Sequence, residues 1–173
     1  YDKDEEEFII SAIKNQVSCF FESTESLELF IQFSTQFAPL IELARSFPFW
    51  GYGFYRAVDM AMKSYGVGYL SDETVDELLN GVGTTIQAKF DSWEQYLASM
   101  LLGKLYITCK NQDAQNVFLL SRNEFVDRLY KLISSPNDIF ASSNIWENSD
   151  LTRLKEVMKN IFNGSSKSKH YLL

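Results

Sequence analysis

Apolar side chains recur at three- and four-residue steps along this chain, a spacing that restricts it to amphipathic helices packed on a shared core. Phe8, Ile9, Ala12, Ile13, Val17 and Phe20 predict a helix over about 4–21. Its first turn would carry Asp4, Glu5, Glu6 and Glu7, where acids suit the positive end of the helix dipole. Thr24 can cap a second helix with Leu27, Phe30, Ile31, Ser34 and Phe37 on one face. Leu27, Leu29, Ile31 and Phe33 also alternate, so a strand competes there. The three-four pattern continues to Ala38 and favours the helix, which Pro39 then breaks or kinks.

Phe47-Pro48-Phe49-Trp50-Gly51 reads as a connector, and Tyr55, Val58, Ala61, Met62 and Tyr65 predict a helix over about 52–65, with Gly66 at its left-handed cap. Ser71 caps a helix opened by Asp72 and Glu73 and carried by Val75, Leu78, Leu79, Val82 and Ile86, with Gly81 and Gly83 weakening its middle. Asp91-Ser92-Trp93-Glu94 has the form of a capping box and opens a helix bearing Tyr96, Leu97, Met100, Leu101 and Leu105. Ser121-Arg122-Asn123-Glu124 is a second such box, before Phe125, Val126, Leu129, Leu132 and Ile133, stopped by Pro136. Residues 137–149 read as a loop anchored by Ile139, Phe140 and Trp146. A last helix over about 150–162 carries Leu151, Leu154, Val157, Met158 and Ile161.

The expectation is an all-α fold: a single compact domain of seven or eight helices over 1–164, followed by a flexible tail over 165–173. At 173 residues and 46% hydrophobic the chain can bury a large core without metal or disulfide. Its 8 Gly and 3 Pro are too few for a turn-rich β-sandwich. The longest uncharged window, Leu29 to Ile41, is far short of a membrane span. No basic segment followed by an apolar stretch opens the chain. It starts at Tyr1 rather than Met, which leaves the native N-terminus open. Cys19 and Cys109 lie in apolar stretches outside any CxxC pair, as reduced buried thiols of a cytoplasmic protein would.

The net charge is −7, unevenly placed. Residues 1–30 hold eight acids against Lys3 and Lys14, whereas residues 151–173 hold Glu156 against Arg153, Lys155, Lys159, Lys167 and Lys169. An acidic body repels phosphate backbones, which argues against direct nucleic-acid binding, and attracts basic partners. Ordinary solubility explains any one acidic run equally well.

Catalytic groups are sparse. The single histidine, His170, stands in the tail, which removes Ser-His-Asp and Cys-His chemistry unless the tail folds over a cleft. Asp72/Asp76, Glu73/Glu77 and Glu124/Asp127 share helix faces, but no Glu-x-x-His accompanies them, so a di-metal carboxylate site is not expected. Gly66-Val67-Gly68 and Gly81-Val82-Gly83 do not follow strands as a dinucleotide fingerprint requires. No cofactor is expected. The aromatic run Phe47–Tyr55 reads as core before it reads as a pocket.

From Tyr52 to Lys104 the chain resembles a bacterial family, the domain of unknown function 1266. That family shows a Trp-Asp-x-x-Arg helix, a Gly-Tyr-x-Ser turn into an acidic helix, and a Ser-Trp-Glu segment closing at Leu-Gly-Arg. The matching elements are Tyr52-Gly53-Phe54-Tyr55-Arg56, Gly68-Tyr69-Leu70-Ser71-Asp72-Glu73, Ser92-Trp93-Glu94 and Leu101-Leu102-Gly103-Lys104. Tyr52-Gly53 replaces the Trp-Asp, so any role of that Asp is absent. The motif residues Arg56, Gly68, Tyr69, Trp93 and Gly103 are expected to serve the fold: Arg56 pairing with Glu94 or Asp59, Trp93 anchoring the core, Gly103 letting two helices approach.

Members of this family look like companions of polymorphic toxins, some resembling immunity proteins of contact-dependent growth inhibition systems. The resemblance therefore implies a non-enzymatic immunity protein that covers the cleft of a basic nuclease toxin. Its expected toxin-binding surface is Asp72, Glu73, Asp76 and Glu77, with Glu5, Glu6 and Glu7. The alternatives are an enzyme or small-ligand binder with a pocket near Arg56, Tyr69 and Trp93, and a helical adaptor.

Overall fold

The computed structural model describes residues 24–111, 124–135, 140, 145–146 and 150–164. The expected helix over 4–21, Cys19, residues 121–123 of the second capping box and the tail with His170 lie outside them. Among the described residues there are seven helices and no strand, so the fold is all-α: α1 (Thr24–Gln36), α2 (Ala38–Ala44), α3 (Trp50–Gly66), α4 (Asp72–Lys89), α5 (Trp93–Asn111), α6 (Glu124–Ile133) and α7 (Thr152–Gly164). The chain divides into two compact units, residues 1–36 and residues 37–173.

The described part of the first unit is α1. Helix, not strand, wins over Leu27–Phe33, and Phe33 is buried. Thr24 is the first helical residue, and Thr35 returns its hydroxyl to Ile31 O.

At the start of the second unit the helical run breaks at Phe37, two residues before Pro39, and Pro39 itself opens the next helix. It sits in the first turn of α2, where a missing N–H costs nothing. The unit is built around α5, which packs against α2, α3 and α7, while α4 packs on α3 and α6 on α7. Residues 95–103 of α5 are all buried. That run includes Leu97, Ala98, Leu101 and Leu102, a helix apolar on every side as a central helix must be. Leu40, Leu43, Phe90, Ile133, Leu151, Leu154 and Met158 close the core around it.

Two glycines set the α3–α5 crossing. A Cβ on Gly51 would stand 2.5 Å from Met100 N and 2.7 Å from Tyr96 O, and one on Gly103 would stand 2.5 Å from Tyr52 Cβ. Gly103 thus allows the close approach expected of it. Gly51 does the same from inside α3, which begins at Trp50, before the expected start.

Gln95 and Ser99, the buried polar residues among those described, lie one turn apart on α5 and hold the turn between α2 and α3. Gln95 Nε2 donates to Ala44 O at 3.3 Å, Ser99 Oγ donates to Phe47 O, and Gly51 N donates to Ser99 Oγ at 2.8 Å. Between those anchors Arg45 takes φ 53°, a strained value for a non-glycine residue, and the fixed ends keep it there.

The caps depart from expectation in two places. The left-handed position after α3 is Gly68, at φ 80°, and Gly66 is still helical. The cap of α5 is Ser92, not Asp91: Ser92 Oγ accepts from Gln95 N at 3.2 Å while Gln95 Oε1 accepts from Asp91 N at 2.8 Å. The capping box is therefore shifted by one residue, which releases Glu94. Its Oε1 accepts from Leu154 N at 3.1 Å and caps the start of α7. Ser71 caps α4 as expected, accepting from Thr74 N.

Candidate functional site

Two surfaces of the second unit stand apart from its ordinary solvated faces. The first is the corner where α3 turns into α4. Gly68 lets the chain reverse, and the turn leaves Val67 and Tyr69 at 68% and 83% exposure, beside half-exposed Met62 and Tyr65. The acids that open α4 follow directly: Asp72, Glu73, Asp76 and Glu77 are all exposed. None forms an ion pair with another described residue. The corner is continuous, because a hydrogen bond to the Asp72 side chain raises the Tyr65 hydroxyl pKa, with the charges of Asp72 and Asp76 adding to it. Four of the expected binding residues are thus together on one exposed turn and a half. Glu5, Glu6 and Glu7 lie outside the described residues. Tyr69 serves this surface, not the core.

The second surface is an open cleft of about 660 Å³ between α3, α5 and α6. Tyr52, Arg56, Asp59 and Lys63 follow one another along a single face of α3 and form one wall, with Tyr55 beside them. Met100 and Lys104, one turn apart on α5, form the floor, and Phe125, Arg128, Leu129 and Leu132 of α6 the far wall. The rings of Tyr52 and Tyr55 stack 5.8 Å apart, and Phe125 meets each of them edge-on. Lys63 is tied to Asp59 at 2.7 Å and Arg128 to Glu124. Arg56 and Lys104 form no ion pair with a described residue, and Lys104 Nζ stands 5.8 Å from the Tyr52 ring centroid.

This arrangement corrects the roles expected of the motif residues. Arg56 is exposed in the cleft and pairs with neither Glu94 nor Asp59. Glu94 instead faces α7, where burial pushes its carboxyl pKa up against the lowering pull of Leu154 N–H and Arg153. Trp93 is half-buried in an aromatic group with Tyr96, Phe140 and Trp146, and Trp146 Nε1 donates to Phe90 O at 2.8 Å. Neither Trp93 nor Tyr69 lines this cleft; of the three residues expected around a pocket, it lies on Arg56 alone. The aromatic run divides: Tyr52 is buried, whereas Trp50 is 52% exposed beneath Lys89 Nζ, 4.4 Å from its ring. Cys109 is a free, buried thiol whose pKa burial raises to about 11. Among the described residues no three His, Cys, Asp or Glu side chains converge as a metal site needs. Nor, among them, is any helix long and apolar enough to cross a membrane.

Sequence reasoning missed the cleft's other residues. Tyr52 and Arg56 at i and i+4 were a legible signal, and Lys104 beside Gly103 was another. Which helix would supply the far wall was not legible.

The described residues of the second unit thus form a helical scaffold that carries an acidic aromatic corner and a basic aromatic cleft. The chain belongs to the family described as protein of unknown function DUF1266, which matches residues 4–151. No curated protein and no solved structure matches it significantly.

Proposed function

We propose that the protein is an immunity protein that binds and neutralises a cognate toxin, with a basic nuclease domain as its target. The observation that carries this reading is the α3–α4 corner. Exposed Tyr65, Val67 and Tyr69 supply an apolar centre, and Asp72, Glu73, Asp76 and Glu77 supply an acidic rim without an ion pair to any described residue. Aromatic anchors ringed by charge are how protein interfaces combine affinity with specificity. A nuclease cleft is cationic because it holds a polyanion, and four closely spaced carboxylates would meet it as phosphates do. Neutralisation requires occupancy of that cleft and no reaction by the occupant. The resemblance to companions of contact-dependent toxins gives the reading its biological setting, the cytoplasm of a cell exposed to its neighbours' toxins.

The test is to read the neighbouring reading frames for a secreted protein that ends in a nuclease-sized domain, to coexpress that domain with this chain, and to titrate the purified pair. Growth should be rescued, and Tyr69→Ala with Glu73→Lys and Glu77→Lys should abolish rescue while the variant remains folded. Rescue undiminished by that triple variant would move the interface elsewhere, and failure of the wild-type chain to rescue would end the reading.

A further inference from the structure

We infer that the cleft between α3, α5 and α6 binds a nucleoside phosphate, with the ring held among Tyr52, Tyr55 and Phe125 and the phosphate held by Arg56 and Lys104. The inference goes beyond toxin neutralisation and does not depend on it.

The charge of the cleft runs against that of the chain. The whole carries 16 bases against 23 acids, yet the cleft brings Arg56, Lys63, Lys104 and Arg128 against only Asp59 and Glu124. Both acids are already neutralised, by Lys63 and Arg128. That leaves Arg56 and Lys104 as cations without a carboxylate partner among the described residues, on facing helices at the same cleft. A guanidinium and an ammonium so placed are donors for an anion: the first grips two phosphate oxygens in its fork, the second acts as a point charge.

The walls specify the rest of the ligand. Three aromatic rings meet within 6.4 Å of one another, with Phe125 perpendicular to Tyr52 at 89°. Such a set offers both a face and an edge to a planar ring. Met100, Leu129 and Leu132 give the ring an apolar bed. A volume of about 660 Å³ lies within the roughly 300–1,000 Å³ of small-molecule sites and suits a single nucleotide better than an extended chain. A ligand with one planar ring and one compact anionic group satisfies all three features together. The cleft is also pre-set, because Tyr52 of its wall adjoins Gly51 and Lys104 of its floor adjoins Gly103, the two residues that lock α3 against α5.

Calorimetric titration of the intact chain with ADP, GDP and UDP in turn tests this, with adenosine and inorganic phosphate as separate arms. A diphosphate should bind saturably at one site, tighter than either adenosine or phosphate alone. Arg56→Ala and Lys104→Gln should each weaken it about tenfold, as loss of one charge-assisted contact does, and leave the thermal melt within a degree or two. Glu73→Lys, on the corner, should bind as the wild type does. The inference is overturned by no saturable binding of any of the three up to millimolar concentration. Adenosine or phosphate binding as tightly as the diphosphate would equally overturn it, as would full affinity in both cleft variants.

Discussion

Gly51 and Gly103 decide how near α3 and α5 can come, and the other glycines show by contrast what such a position costs. Around Gly81 no atom lies within 4 Å of an added Cβ. Gly81→Ala should therefore stabilise α4 by about 0.5–1 kcal/mol through lost unfolded-state entropy. Gly51→Ala would drive a methyl into Met100 N and Tyr96 O, backbone atoms that cannot rotate away, and should cost on the order of 3 kcal/mol. Urea melts of the two variants check the pair; equal shifts would mean that the crossing is looser than it is drawn. Glu94 offers a second residue-scale expectation. Burial is the first cause of its raised pKa, so the folded state holds the proton more tightly than the unfolded chain. Its contribution to stability is then full at acid pH and falls as pH rises from the usual glutamate value through the raised one. Glu94→Gln keeps an acceptor oxygen for Leu154 N and removes the titration. The variant's stability relative to wild type should rise between pH 4 and pH 7. A relative fall across that window would show that the charge on Glu94 serves α7 more than its burial costs.

At the scale of elements, the three-four apolar rhythm made α3 to α7 legible as helices, but it marks the buried face only in α6 and α7. Tyr55, Met62 and Tyr65 of α3 and Leu78 of α4 are exposed, and residues 95–103 of α5 are buried all round. It could not show that Pro39 begins a helix, since proline is equally compatible with the end of one helix and the first turn of the next. Nor could it choose between Asp91 and Ser92 as the cap of α5. Both residues can cap, and the choice was made by Gln95, whose amide reaches Asp91 N on one side and Ala44 O on the other. The candidate site was half legible for the same reason. The acids of the corner follow from their position after Ser71, whereas the cleft needs α6 to meet α3, a long-range contact with no local signature. The link between α5 and the α2–α3 turn can be weighed directly. Ser99→Ala would leave Gly51 N and Phe47 O buried without their partner and should cost about 1–3 kcal/mol. Denaturation by urea measures this, and a neutral variant would mean that the turn is held by its aromatic packing alone.

Across the second unit the two surfaces carry opposite electrostatic character, and each should leave its mark on salt dependence. On the proposed reading, association with a basic toxin through the corner should slow as ionic strength rises and should lose most of that dependence in Glu73→Lys with Glu77→Lys. Stopped-flow association rates between low and physiological salt check this, and a slope unchanged by the double variant would place the steering charges elsewhere. Reversal at the first turns of α4 opposes its dipole, so a loss of up to about 1 kcal/mol in stability is expected even where the fold is intact. The crossing of α3 and α5 reaches further than packing. Since each of its glycines is followed by a residue that lines the cleft, the gap between the tyrosine ring and the lysine ammonium is gauged by the nearness of two backbones. A single methyl placed there, touching no ligand, would change which molecules fit.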